Sequence, residues 1–466
     1  MARTDRYVLL ALVLLNAVLK LCWLGVNELS GDEPFTVFWA QQSTRDLLDM
    51  FRDENNPPLY FFLMKFWSAS TPFEVPWLRV PSALFSALAV WPIFLLARRH
   101  VSTWGAVSAC LLFSFCNEHY TYAHEVRAYS LLTLLTITGM WQLDRMVRKE
   151  PRALLWLVLL NTALAYTHFM GWAAIGIQLL CTLVVREWRP AHRGWFKATM
   201  VVVVLFLPYG WLFAQRVGAS VSQGTWLTAP AWDEPYSMLW RWSNVPVMTV
   251  VFLCIIAYAL WRTGARNTAI RLGLVWAGVP LLGLFFLSFA VPLYLDRYLV
   301  WAAPGFALLV AASLCVIAEN KAVVRGSLAA ACLGMLVTFA PWKDNGVKPS
   351  AVVQEFDKWK PFEADACYVA PYWYGLTYVA AWELEALKGD GAYINNWLGR
   401  VNMYELEGPL REEDLPVEPH SVVLLIDAGL EQMDPWGVTK QLIREHYPVV
   451  DSVEADKKVW VYRFRK

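Results

Sequence analysis

This chain of 466 residues turns apolar again and again, each time for about the length a helix needs to cross a bilayer. Such windows fall at about 7–26, 79–98, 103–117, 126–144, 153–166, 169–185, 196–217, 244–261, 272–291, 297–317 and 325–341. Inside a bilayer no water satisfies the backbone, so a spanning segment must close its own hydrogen bonds, and a long apolar run does so as a helix. Charged residues make up only 17% of the chain, below the share of about 25% usual in soluble domains. The sequence therefore predicts a polytopic α-helical membrane protein with about eleven spans. The first window has a basic flank (Arg3, Arg6), as a signal peptide does. Its apolar run is long and no small-x-small site follows, so an uncleaved anchor is expected.

Basic residues orient these spans. Six alternate connections carry 17 lysines and arginines, from Arg3 and Arg6, through Arg98, Arg99 and the clusters at 145–152 and 186–197, to Lys321 and Arg325. The other short connections carry almost none beyond Arg127, Arg241 and Arg297. The positive-inside rule then puts the N-terminus in the cytoplasm. With an odd number of spans, the C-terminal tail lies on the periplasmic or external side.

The outer side receives three elements. A long loop, 27–78, contains GDEPFTVFWAQQSTRDLLDMF, read as one helix along the membrane, and NNPPLYFFLMKFW from Asn55, read as an interfacial helix begun by the prolines. A short connection, 117–130, reads NEHYTYAHEVRAYS. A third loop, 218–243, holds Trp226, Asp233, Glu234 and Arg241. From about Trp342 the composition changes. Apolar runs shorten to strand length at 366–371, 421–428 (from Ser421) and 459–465, with helical patterns at 378–387 and 436–447. Strands alternating with helices predict a small α/β domain over 342–466, after a membrane domain over 1–341. Eight cysteines show no metal spacing, and seven of them lie in or near apolar helices as small hydrophobes; no structural disulfide is expected. No basic tract with interleaved aromatics points to nucleic acid.

Chemistry concentrates on the outer side. Asp32 and Glu33 are adjacent carboxylates beside low-dielectric surroundings, a costly placement that asks for a reason, although a solvated cap is the plain alternative. Glu118, His119, His124, Glu125 and Arg127 follow in the second connection, His168 in YTHFMG, and Asp296, Arg297 and Tyr298 at the mouth of a span. Carboxylates activate a hydroxyl and arginines hold a phosphate. Each residue also has an ordinary reading: Arg297 as an anchor or as the partner of Asp296, His124 and Glu125 as loop charges, His168 as a hydrogen-bonded interfacial histidine.

The order of these motifs, GDE, NNPPLYFF, YAHEVRAYSLLTLL, YTHFMG and DRYLVWAAPG, resembles the bacterial polyprenyl-phosphate-sugar-dependent glycosyltransferases of the GT-C fold. These are relatives of the protein O-mannosyltransferases and of the lipid A aminoarabinose transferase. The resemblance covers roughly 1–341 in collinear order. It implies Asp32, with Glu33 beside it, as catalytic base, and Arg297 as a contact of the lipid phosphate. It further implies a substrate-binding surface containing Asn56, Tyr60, His124, Glu125, Arg127, His168 and Tyr298. The family's proline motif carries histidine where this chain has Asn56, and its second-loop pattern carries glutamine before Glu-x-Arg where this chain has His124.

The implied reaction moves a sugar from a polyprenyl-phosphate donor, with inversion, to a protein, a lipid such as lipid A, or a glycan, at the outer face of a bacterial plasma membrane. No nucleotide or diphosphate needs chelating. A divalent cation, held by Asp32 and Glu33, stays open at this point. The rival class is a transporter or flippase of a lipid-linked sugar, which places ionisable groups near the bilayer midplane, often in repeated halves. Here they gather at one face, and no repeat shows.

Overall fold

The computed structural model describes residues 3–54, 56–223, 227–264, 266–416 and 422–466. Asn55, Trp226 and Ser421, which the sequence reading assigns to a loop, a loop and a strand, lie outside them. Each of the eleven apolar windows falls on a helix. Six helical segments meet both length and apolarity for a span: Val75–Ala97, Arg186–Leu212, Pro246–Thr263, Thr268–Leu287, Asp296–Cys315 and Lys321–Thr338. Three more apolar helices are shorter, Thr103–Ser114, Ala153–Thr167 and Met170–Val184. Arg3–Leu21 and Tyr129–Val147, 19 residues each, carry more polar groups. The count of eleven spans is therefore an expectation, while the polytopic helical class is what the structure has.

The chain forms two compact units. The first comprises Met1–Trp23, Leu48–Tyr60 and Arg79–Pro341. Its central element is the segment Asp296–Cys315, whose apolar window is 89% buried. It packs against the helices at 103–114, 246–263, 268–273 and 321–338. By contrast, Pro246–Thr263 and Lys321–Thr338 are 22% buried, and their exposed Val247, Val250, Leu333 and Val337 form apolar walls suited to lipid. Close approaches rest on glycines. A Cβ on Gly305 would stand 2.7 Å from Cγ of Trp276, and one on Gly273 would stand 2.8 Å from Cα of Leu309.

The second unit comprises Leu24–Leu47, Phe61–Leu78 and Trp342–Lys466. Its sheet holds β1 (Ala366–Ala370), β2 (Met403–Glu405), β3 (Val422–Asp427), β4 (Val449–Asp456) and β5 (Val459–Arg465) in the order β2-β1-β3-β5-β4. β1 runs parallel to both β2 and β3, whereas β5 is antiparallel to β3 and β4. Tyr368, Val423, Leu425, Ile443, Tyr447 and Phe464 form the core on one face. The loop segments join this unit by specific polar contacts. The Glu28 carboxylate accepts from the N–H and hydroxyl of Ser350 at 2.8 and 2.6 Å, and Gln42 Nε2 donates to the Gly389 carbonyl at 2.9 Å.

The single helix expected after GDE is two, Glu33–Gln41 and Thr44–Asp53. Ser43 divides them: its Oγ accepts the Asp46 N–H at 3.2 Å and bonds the Asp46 carboxylate at 2.7 Å, so the second helix begins with its own cap. The interfacial helix, Leu59–Ser68, starts directly after Pro57-Pro58. The loop expected from Gly218 begins later, because the helix from His192 continues to Gln223.

Candidate functional site

In the second unit, SGDEP builds the turn that presents Asp32. Gly31 takes φ +59°, a left-handed conformation that suits glycine, and Pro34 lies in the first turn of the helix that follows. Asp32 is the N-cap residue and half-buried; its carbonyl accepts from the N–H and the hydroxyl of Thr36, both at 3.3 Å. Glu33 is buried, and its carboxylate accepts the Ser30 N–H at 3.3 Å. The two neighbours therefore differ. Glu33 closes the turn, while Asp32 sits at the tip of the helix.

In the first unit, several sequence-predicted residues come together. The connection between the helices Asn117–Ala123 and Tyr129–Val147 carries Arg127. Ser82 Oγ donates to the Arg127 carbonyl at 3.2 Å and bonds the Tyr60 hydroxyl at 2.7 Å. Buried Tyr60 thus holds the Arg127 backbone through Ser82. The Arg127 guanidinium bonds Asn56 Oδ1 at 3.4 Å and lies 5.9 Å from the centre of the Tyr129 ring. Tyr129 in turn sits 5.6 Å from His168, and His168 sits 5.7 Å from Tyr298, over which the Arg297 guanidinium lies at 5.9 Å. Two arginines from distant parts of the sequence therefore flank one aromatic row with His168 at its centre.

His168 is neutral there. Burial first, and then the positive charges of Arg127 and Arg297, push its pKa down to about 3. Its Nδ1 accepts the Met170 N–H at 3.1 Å, so in the neutral ring the proton belongs on Nε2, which is a donor. Gly171 permits this placement: a Cβ there would stand 2.3 Å from the carbonyl oxygen of Leu164. Two guanidiniums and a neutral N–H donor make a set of donors suited to an anion, above all a phosphate.

Arg297 is held by its neighbours. The Asp296 carboxylate accepts the Arg297 N–H at 2.7 Å and pairs with Arg241, whose guanidinium is also 4.0 Å from Glu118. Asp296 thus pairs with Arg241. Burial raises the Glu118 carboxyl to about 8, with Asp296 adding repulsion and Arg241 opposing it. Trp301 Nε1 donates to the Tyr298 carbonyl at 2.8 Å and Trp276 Nε1 to the Trp301 carbonyl at 3.1 Å, fixing the one turn that carries Arg297 and Tyr298. Asn117 and Asn244 tie this region to the end of the last span. Asn244 accepts the Asn117 N–H at 2.8 Å, and Asn117 donates to the Thr338 carbonyl at 2.9 Å. Nothing in the sequence marks the asparagines, because their partners lie far along the chain.

Two predicted residues sit elsewhere or add less. His124 is buried, with its Nε2 bonded to the Lys20 carbonyl at 2.9 Å and its ring 4.3 Å from Tyr120; burial lowers its pKa to about 3. It anchors the end of the first helix. Glu125 is half-buried and bears on Tyr122. Among the described residues, no three histidine, cysteine, aspartate or glutamate side chains come together to hold a metal.

This is an integral membrane protein with the architecture of the GT-C class. Its structure is similar to that of ArnT from Cupriavidus metallidurans bound to undecaprenyl phosphate, with a TM-score of 0.60 at 13% identity, covering 99% of this chain and 98% of that one. The apo form of the same protein gives 0.61 at 12% identity, with the same coverage. AglB, the archaeal oligosaccharyltransferase of Archaeoglobus fulgidus, in complex with an inhibitory peptide and a dolichol-phosphate, gives 0.53 at 10%, covering 96% of this chain and 73% of that one. At such identities the likeness establishes the fold. Residues 55–212 match the family model described as dolichyl-phosphate-mannose-protein mannosyltransferase. No curated protein matches the sequence.

Proposed function

We propose that this protein transfers a sugar from a polyprenyl-phosphate donor to an acceptor at the outer face of a bacterial plasma membrane, with Asp32 as the general base. The observation that carries this reading is the row Arg127–Tyr129–His168–Tyr298–Arg297, which offers two cations and a neutral donor to one anion. Asp32 takes the proton of the acceptor hydroxyl or amine. The acceptor's oxygen or nitrogen attacks the anomeric carbon, the bond to the phosphate oxygen breaks, and the anomeric configuration inverts. Arg297 and Arg127 stabilise the charge that grows on the departing polyprenyl phosphate, with His168 Nε2–H as a third donor. Asn56 and Tyr60 act by placing Arg127, and Tyr298 by placing Arg297. Glu33 supports the turn that carries Asp32. ArnT from Cupriavidus metallidurans, to which this fold is similar, has been captured with undecaprenyl phosphate, which supports a donor of that chemistry. The membrane domain over 1–341, the outer domain over 342–466 and the cytoplasmic N-terminus belong to this reading.

The test is a strain lacking the protein, complemented with Asp32→Asn, with mass spectrometry of its surface glycans, glycolipids and glycoproteins. Wild type restores one sugar. The variant, expressed to the same level and still retaining polyprenyl phosphate on purification, lowers transfer about 10²–10⁴-fold, the usual share of a general base. A variant that restores the sugar fully refutes the role of Asp32.

A further inference from the structure

In the first unit a cleft of about 600 Å³ is lined by Arg98, Arg99, Trp104, Glu319, Lys321 and Arg325, among others. Four of these six are cations and one is a carboxylate. Three have internal partners: Arg98 with Asp5 at 3.3 Å, Arg99 with Asp144 and Glu150 at 2.8 and 2.7 Å, and Glu319 with Arg262 at 3.4 Å. Lys321 and Arg325 differ. They lie one turn apart on the same face of the helix Lys321–Thr338, both are exposed, and among the described residues neither pairs with a carboxylate.

The indole of Trp104 stands beside them, 55% exposed, with the Arg325 guanidinium 5.9 Å from its ring. An exposed tryptophan beside cations at a helix end is the composition of the headgroup layer. The residues Ser102 and Asn267, which also line the cleft, cap the N-termini of helices starting at Thr103 and Thr268, and Lys321 opens a third. Three helix dipoles thus add to the side-chain charge. The wall below is apolar and uncovered, with Val323, Leu333, Leu336 and Val337 exposed along the same helix. A soluble anion would use the cations and leave that wall bare; a diacyl lipid would use both.

We propose that this cleft binds the phosphodiester headgroup of an anionic phospholipid, with Lys321 and Arg325 on the phosphate, Trp104 against the glycerol region and the acyl chains along Lys321–Thr338. The site is separate from glycosyl transfer and does not depend on it. In the proposed orientation it faces the cytoplasmic leaflet, where anionic lipid and basic connections meet.

The experiment uses the full chain in detergent, titrated with phosphatidylglycerol or phosphatidylcholine and read by native mass spectrometry. Wild type keeps one phosphatidylglycerol in clear preference to phosphatidylcholine. Lys321→Gln with Arg325→Gln lowers that preference about 30-fold, a factor of about five for each surface cation. Arg189→Gln with Arg193→Gln, an equal change of charge in another basic connection, leaves it within a few-fold. Lys321→Arg keeps it, and a matching elution volume shows that each variant is folded. Equal losses in both double variants, or no preference in wild type, overturn the proposal. A third arm adds inorganic phosphate at millimolar concentration. Displacement of the lipid by phosphate as readily as by phosphatidylglycerol would assign the cleft to a free anion and overturn the lipid assignment.

Discussion

Gly171→Ala tests how His168 is placed. In YTHFMG the glycine opens the helix Met170–Val184, and its N–H bonds the His168 carbonyl at 2.8 Å. An added Cβ would stand 2.3 Å from the Leu164 carbonyl oxygen and 2.8 Å from its carbon, and real Cβ contacts essentially never fall below 3.0 Å. The backbone must therefore move by about 0.7 Å, and no flexible side chain can absorb the shift because the obstacle is main chain. Overpacking of this kind costs about 1–3 kcal/mol. The displacement also reaches His168, three residues back, and misplacement of about 1 Å near reacting groups can lower rates about 10²-fold. Gly176→Ala is the control in the same helix: nothing lies within 4 Å of its Cβ, and alanine is favoured over glycine in a helix interior by about 0.5–1 kcal/mol. The two substitutions add the same methyl group and should act with opposite sign. Thermal unfolding read with a thiol-reactive dye suits the chain, since Cys110, Cys116 and Cys181 are free and buried. Gly171→Ala should unfold several degrees lower than wild type and lose most transfer; Gly176→Ala should match or exceed wild type in both. If Gly171→Ala proves as stable and active as Gly176→Ala, the tight approach to Leu164 does not position His168.

Glu118→Gln tests the buried carboxyl beside Arg241. Its pKa is raised from 4.5 to about 8, so the folded state holds the proton more tightly than the unfolded chain. That contribution is complete below about pH 4.5 and fades as pH rises through 8; wild type should lose stability across this window, and the variant should show a flatter profile of melting temperature. Parallel profiles would disprove the assignment. Arg241→Ala leaves Asp296 without its ion-pair partner and loosens the turn carrying Arg297; affinity for polyprenyl phosphate should fall more than turnover, with Arg241→Lys intermediate. Arg297→Ala should lower transfer about 10²–10³-fold, as loss of one transition-state donor does, measured at saturating donor. Tyr60→Phe removes the bond to Ser82 and should cost about 1 kcal/mol in stability, with a modest loss of transfer.

What the sequence reveals and what it hides follow from the range of the interactions. The spans are legible because each satisfies its backbone locally, and a run such as Ala303–Leu314 announces itself by composition. The strands β1, β3 and β5 are legible for the same reason, being apolar runs flanked by turns. β2 is three residues long, and β4 carries Asp451, Glu454 and Asp456 at an edge of the sheet, so neither looks like a strand until a neighbour pairs with it. The break at Ser43 was readable in principle, since Ser43-x-x-Asp46 is a local capping pattern, but the apolar period ran through it. The aromatic row and its two arginines divide the same way. Arg127, His168 and Arg297 stand out as ionisable groups beside spans. The roles of Ser82, Asn117, Asn244 and Trp276 depend on partners 22 to 221 residues away. A hydroxyl or amide leaves no periodic trace, whatever it holds in place. The charged residues of the row are conspicuous because charge is costly near lipid. Those that position them use bonds between uncharged groups, and only the fold shows which backbone each one reaches.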